Sequence, residues 1–146
     1  MDNPNRMCVV VGGQKELDWA AAGVGIDGWP SDTKALAGYY GDELRVVVLY
    51  NTFFDGATCS MHVCAKPGAL WATPATLREF FAYPFIQLGL RRVTAPIAGR
   101  NIKSQVLALK LGFKQEGRLR HARKDDDEVL LGLVREDCKW TRNRHG

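Results

Sequence analysis

The stretch Asn101–Gly117, NIKSQVLALKLGFKQEG, decides the fold. It opens as a short amphipathic helix, breaks at Leu111-Gly112-Phe113, and runs on as a strand that starts with Glu116-Gly117. Its flanks give it meaning. Before it stands a β-rich run, Arg92–Ala98, with Pro96 inside. Proline cannot donate to a ladder, so that strand is expected to lack a partner on one side at Pro96. After it come two strands, Phe113–Asp125 and Asp127–Trp140, joined through Lys124-Asp125-Asp126-Asp127.

Outward toward the N-terminus, Leu77, Phe80, Phe81, Phe85 and Leu88 recur at helical spacing over residues 75–88. Pro84 must bend that helix or split it, and Gly89 ends it. Met7–Val11 reads as a strand closed by Gly12-Gly13, and the Ala-rich Leu17–Ala22 as a helix. Gly23 to Asp32 is a breaker-rich loop. Lys34–Tyr40 and Leu44–Tyr50 flank Gly41-Asp42-Glu43, a hairpin signal, and Asp55-Gly56 turns into the strand Thr58–Ala65. The first half is therefore a β-meander with one helical excursion, and residues 1–146 form one domain.

Bulk properties narrow the class. With 46% hydrophobic and 25% charged residues the composition is ordinary globular. No run approaches a membrane span, and MDNPNRM has no apolar h-region, so the cytosol is the expected compartment. Cys8, Cys59, Cys64 and Cys138 form no C-x-x-C pair and no zinc spacing. They read as buried reduced thiols, with no metal site. The net charge is +4, and the basic residues gather late: Lys114, Arg118, Arg120, Arg123 and Lys124, then Arg135, Lys139, Arg142 and Arg144. Such a cluster is a solvated face or a seat for phosphates.

The order helix, strand, helix, strand, strand over residues 75–140, with Asn101, Ser104, Leu111-Gly112-Phe113 and Glu116-Gly117, resembles the C-terminal half of the GNAT family of N-acetyltransferases, within it the ribosomal-protein-acetyltransferase branch. The resemblance implies an α/β (α+β) fold. It has a mixed central sheet of six to seven strands, splayed between the fourth and fifth and flanked by helices. It also implies acetyl-CoA as cofactor, held along Val63 and Ala65, by Trp71, Ala72 and Thr73, and by Asn101, Ser104 and Phe113. The family's phosphate loop, Arg/Gln-x-x-Gly-x-Gly/Ala, falls here on Gly68-Ala69-Leu70-Trp71-Ala72-Thr73, where only the last positions keep small side chains. Backbone amides at a helix start can still serve an anion, and Thr73-Pro74 is a good helix opening. Trp71 reads either as a cover for the cofactor or as a loop anchor.

Many members place a tyrosine one turn beyond the serine as the acid for the departing thiolate. Here that position is Ala108, which leaves Ser104 as the hydroxyl on that face. Asn101 reads either as a plain N-cap or as a cofactor contact, and Ser104 as a first-turn serine or as the acid. His62 shares a strand side with Ser60 and Cys64. It reads as a structural histidine or as the base that deprotonates the acceptor ammonium through water. The resemblance thus implies direct acetyl transfer to an amine: a protein N-terminus, a lysine, a small amine or an aminoacyl-tRNA. The contrasting reading is a non-catalytic binding module using the basic C-terminal half. Nucleic acid is allowed as a partner but not required, a membrane is not expected, and the chain would be a monomer or homodimer. The run Tyr83–Gly89, YPFIQLG, is similar to short bacterial and tailed-phage members, which places the protein in the bacterial cytoplasm or that of a phage host.

Overall fold

Alternating apolar residues and tight turns build the first half of the sheet. In the computed structural model, which describes residues 6–142, strand β1 (Met7–Val11) leads into helix α1 (Gln14–Val24) and then into the meander β2 (Lys34–Tyr40), β3 (Glu43–Phe54) and β4 (Thr58–Ala65). Gly41 takes a positive φ of 62° in the β2–β3 turn, where a side chain would be strained. Helix α2 (Pro74–Ala82), a π-helical turn (Tyr83–Gln87), strand β5 (Arg92–Ala98), helix α3 (Ile102–Leu111) and the hairpin β6 (Lys114–Arg123) and β7 (Asp126–Val134) follow. The seven strands lie in the order β1-β2-β3-β4-β5-β7-β6. All neighbours are antiparallel except β4 and β5.

The sheet has two apolar faces. On one, Val46, Val48, Tyr50, Met61, Val93 and Leu131 pack under α2 and α3 against Phe80, Phe81 and Leu111. On the other, Val47, Leu49 and Cys64 pack under α1 against Ala20. Cys59 and Cys64 thus face opposite sides, as strand alternation requires. Cys8 departs from the expected burial: it lies exposed on β1, the edge strand of the sheet, with no further strand beside it among the described residues.

Pro84 splits the helix as its chemistry demands. Proline has no N–H for the carbonyl four residues back, that of Phe80. Tyr50 Oη donates to that carbonyl at 2.6 Å instead, and the chain continues as a π turn closed by Leu88 N–H on Tyr83 O at 3.0 Å. The last strand is shorter than its apolar pattern suggests. β7 ends at Val134 in a 3₁₀ turn (Arg135–Asp137), and Trp140 folds back to donate from Nε1 to Leu111 O at 2.9 Å. Arg144 and His145 lie outside the described residues. Among those described, no helix is long and apolar enough to cross a membrane.

Candidate active site

Strands β4 and β5 run parallel but pair only at Thr58–Arg92, Cys59–Val93 and Ser60–Thr94. Beyond that point β4 continues to Ala65 on β3, β5 continues to Ala98 on β7, and the sheet splays between them. Register tells which backbone groups line the opening. Lys66 N donates to Arg45 O at 2.8 Å. Antiparallel pairs alternate, so Val63 and Ala65 turn their N–H and C=O away from β3, into the gap. On the far wall Gly99 N donates to Asp127 O at 2.9 Å, so Pro96 and Ala98 likewise turn away from β7. The missing N–H of Pro96 therefore falls on the open edge and breaks no ladder bond. Ala98 O is taken by Asn101 N at 2.9 Å and Gln105 Nε2 at 3.1 Å.

The loop after β4 ends in a self-capped helix start. Thr73 Oγ1 accepts from Thr76 N at 3.2 Å, Pro74 occupies the first helical position, and Thr76 Oγ1 donates to Trp71 O at 2.6 Å. The N–H groups of Leu70, Trp71, Ala72 and Ala75 have no acceptor among the described residues. Free amides in the loop and first turn at a helix N-terminus suit an anion. The Trp71 side chain is only 8% exposed, and its ring lies 6.1 Å from that of Phe80, so it anchors the loop in the core. Phe113 is 4% exposed and packs on Phe81 at 6.1 Å. Both rings pack in the core, and the Trp71 backbone amide has no acceptor among the described residues.

Helix α3 begins at Asn101, whose Oδ1 accepts from Ser104 N at 3.2 Å. The side chain is thus an N-cap, with its Nδ2 uncommitted among the described residues. Asn101→Ala is expected to cost about 1 kcal/mol of unfolding free energy by denaturant titration. Weakened coenzyme A binding beyond that loss would show a ligand contact as well. Ser104 is half-buried and its hydroxyl has no partner among the described residues; Ala108 is buried in the core.

His62 stands on the α1 face of β4, opposite the face that carries α3, so His62 and Ser104 are not neighbours on one surface; only the splay joins the two faces. Its ring lies 5.7 Å from that of Trp29, which the Gly23–Asp32 loop lays across the sheet and pins by Nε1 to Leu17 O at 3.1 Å. Asn51, 2% exposed, sets the tautomer. Its Nδ2 donates to Thr33 Oγ1 at 3.2 Å, and that hydroxyl in turn donates to Pro30 O at 2.6 Å. Asn51 Oδ1 is therefore an acceptor, and His62 Nε2, at 3.3 Å, carries the proton. Nδ1 holds the lone pair. No buried side-chain nitrogen or oxygen lacks a partner among the described residues, and Nδ1 has none, so that atom reaches open space. Burial, then the Arg123 guanidinium, push the imidazole pKa below its ordinary value. Just past Asn51 the β3–β4 ladder breaks in a bulge, with Thr52 at φ 55° and Phe53 N held by Asp32 Oδ2 at 3.0 Å. A β-branched residue at positive φ is strained, which the Asp32 clamp offsets.

As site residues, Asn51, Thr33 and Arg123 escaped the sequence reading. Arg123 reaches back from the β6–β7 hairpin to Pro96 O at 3.4 Å, on the open edge, and pairs with Glu128 at 3.2 Å. No local pattern signals a contact between residues so far apart in sequence. Among the described residues no cluster of His, Cys, Asp and Glu is placed to hold a metal ion.

No family model matches the sequence, and no curated protein matches it at a significant level. Solved structures do. Spermidine/spermine N-acetyltransferase SpeG from Vibrio cholerae superposes with a TM-score of 0.74 at 12% identity, over 91% of this chain and 95% of that one. A variant of the same enzyme gives 0.78 at 13% identity, over 99% and 100%. A protein provisionally described as an acetyltransferase, from T. thermophilus, gives 0.64 at 22% identity, over 80% of this chain and 64% of that one. The chain has the fold of these acetyltransferases: a seven-stranded mixed sheet, splayed between its fourth and fifth strands and flanked by helices.

Proposed function

We propose that the protein is an acetyl-CoA-dependent N-acetyltransferase that moves the acetyl group directly to an amine. The observation that carries this is the splay itself: two parallel strands that part after three residue pairs and leave the backbone donors and acceptors of Val63 and Ala65 on an open edge. Val63 is half-buried and Ala65 exposed, so the edge is reachable, and its row of unpaired N–H and C=O groups suits a ligand with amides of its own that pairs as an added strand. The uncommitted amides of Leu70, Trp71, Ala72 and Ala75 suit the pyrophosphate at the other end of the cofactor. Bound acetyl-CoA would supply the activated acyl group as a thioester.

The remaining chemistry belongs to the chain. The Val63 and Ala65 N–H groups would orient the amide-bearing chain of the cofactor and polarise the thioester carbonyl. Asn51 holds His62 with Nδ1 unprotonated and accessible, and Nδ1 takes the proton from the acceptor ammonium, directly or through one water. A depressed pKa keeps that nitrogen free at neutral pH. Ser104 Oγ, without a partner of its own, offers the proton for the departing thiolate from the α3 side. The dispersed basic face gives little support to nucleic acid as the acceptor: Lys114 pairs with Asp137, Arg118 with Asp127 and Arg123 with Glu128.

The test is thermal unfolding with and without acetyl-CoA. Ligand at 100 times its dissociation constant should add about 2.7 kcal/mol of stability. No shift, and no release of free thiol with any amine, would leave a non-catalytic binding module on this fold.

A further inference from the structure

We infer that Arg123 is the acceptor-recognition residue, and that the acceptor is a small amine bearing a carboxylate, of the amino-acid class, rather than a polyamine. The inference rests on the acetyltransferase reading above.

The position of the guanidinium is the first argument. Its Nη2 reaches Pro96 O, the carbonyl that β5 turns into the splay, and Glu128, the residue that β7 places beside Ala98. That puts a fixed positive charge on the β5 wall of the opening, while β4 presents His62 from the other wall. His62 stands two residues beyond Ser60 and Pro96 two residues beyond Thr94, the last pair of the β4–β5 ladder, so His62 and the carbonyl that holds Arg123 border the same mouth of the opening.

Donor accounting is the second argument. A guanidinium has five N–H donors in a planar fork. Both contacts use Nη2, one of them a long 3.4 Å bond to a neutral carbonyl. Nε and Nη1 have no acceptor among the described residues. An arginine held from one side by a single carboxylate, with the rest of its fork open, is arranged to take a second carboxylate in paired hydrogen bonds.

Charge is the third. Glu128, which β7 places opposite Ala98, is already paired with Arg123. Arg123 would repel the second ammonium of a polyamine. A carboxylate on the substrate meets the opposite situation. It would dock on Arg123 and leave its amine to be placed against His62 Nδ1, and the nearby positive charge favours the neutral, nucleophilic form of that amine.

The experiment measures acetylation of the common L-amino acids, of the same set as carboxamides, and of spermidine. Because the side chain is unspecified, the set is needed in full. At least one amino acid should exceed its carboxamide in kcat/KM by about 10- to 100-fold, the worth of hydrogen bonds to a charged group. Arg123→Gln should erase that ratio through KM for the carboxylate substrate. Its thermal shift with acetyl-CoA should equal that of the parent, which shows that fold and cofactor binding survive. A second readout needs no turnover: N-acetylglycine should move the His62 ring-proton resonances in an NMR titration, and N-acetylglycinamide should not. Equal use of acids and amides, a preference for spermidine, or an Arg123→Gln protein that keeps the ratio would overturn the proposal. So would equal shifts of His62 by both acetylated probes. Loss of the acetyl-CoA thermal shift in the parent protein is a separate outcome; it would sink the acetyltransferase reading, while the NMR arm still decides whether Arg123 binds carboxylates.

Discussion

His62→Gln is expected to lower kcat by about 10²- to 10⁴-fold at neutral pH, the usual contribution of a positioned general base. Glutamine keeps the length and a donor for Asn51 Oδ1, so the fold and the Asn51–Thr33 chain should persist. What goes is the titrating nitrogen. In the parent, activity should fall on the acid side as His62 becomes protonated. Burial and Arg123 disfavour the imidazolium, so that limb should lie below the ordinary histidine value of about 6.5. The same shift has a consequence for stability. A histidine with a depressed native pKa binds its proton first in the unfolded chain, so its contribution is intact above about pH 6.5 and is lost as pH falls through the native value. His62→Gln should therefore flatten both the acid limb of the rate profile and the acid slope of unfolding free energy. A limb that persists unchanged in the folded, cofactor-binding variant would assign it to another group, the acceptor amine first among them.

Tyr50→Phe is expected to destabilise the fold by about 1–3 kcal/mol, far more than loss of one exposed hydroxyl. Tyr50 is fully buried, and its hydroxyl serves the Phe80 carbonyl, which Pro84 cannot. Removing that donor strands a buried acceptor in the core. The explanation makes a sharper demand through a double-mutant cycle. In a Pro84→Ala background an amide becomes available near the same carbonyl, so the penalty of Tyr50→Phe should shrink. Denaturant unfolding of the four proteins measures it. Equal penalties with and without Pro84 would show that the tyrosine acts through packing alone, for instance its edge-on contact with Tyr83 at 4.9 Å between centroids.

Much of this protein could be read along the chain because the determinants are local. Gly41-Asp42 and Asp55-Gly56 place the hairpins of β2, β3 and β4 through turn chemistry, and the spacing of Leu77, Phe80 and Phe81 makes α2 amphipathic whatever surrounds it. Pro84 dictates a break and Pro96 an open strand edge, since a missing N–H needs no context to be missed. Asn101 and Thr73 declare helix starts in the same way. Other features exist only once distant segments meet. The sequence places His62 on a strand but is silent on its tautomer, because Asn51, Thr33 and Pro30 settle that from two other elements. Nothing local distinguishes Trp71 and Phe113 as core rings; their partners Phe80 and Phe81 come from α2. β7 ends at Val134, opposite Arg92 where β5 begins, and Arg123 becomes part of the splay because the β6–β7 hairpin folds back beside β5. Backbone chemistry with short reach is written in the chain, whereas hydrogen-bond partners, burial and the field at His62 are decided by residues tens of positions apart.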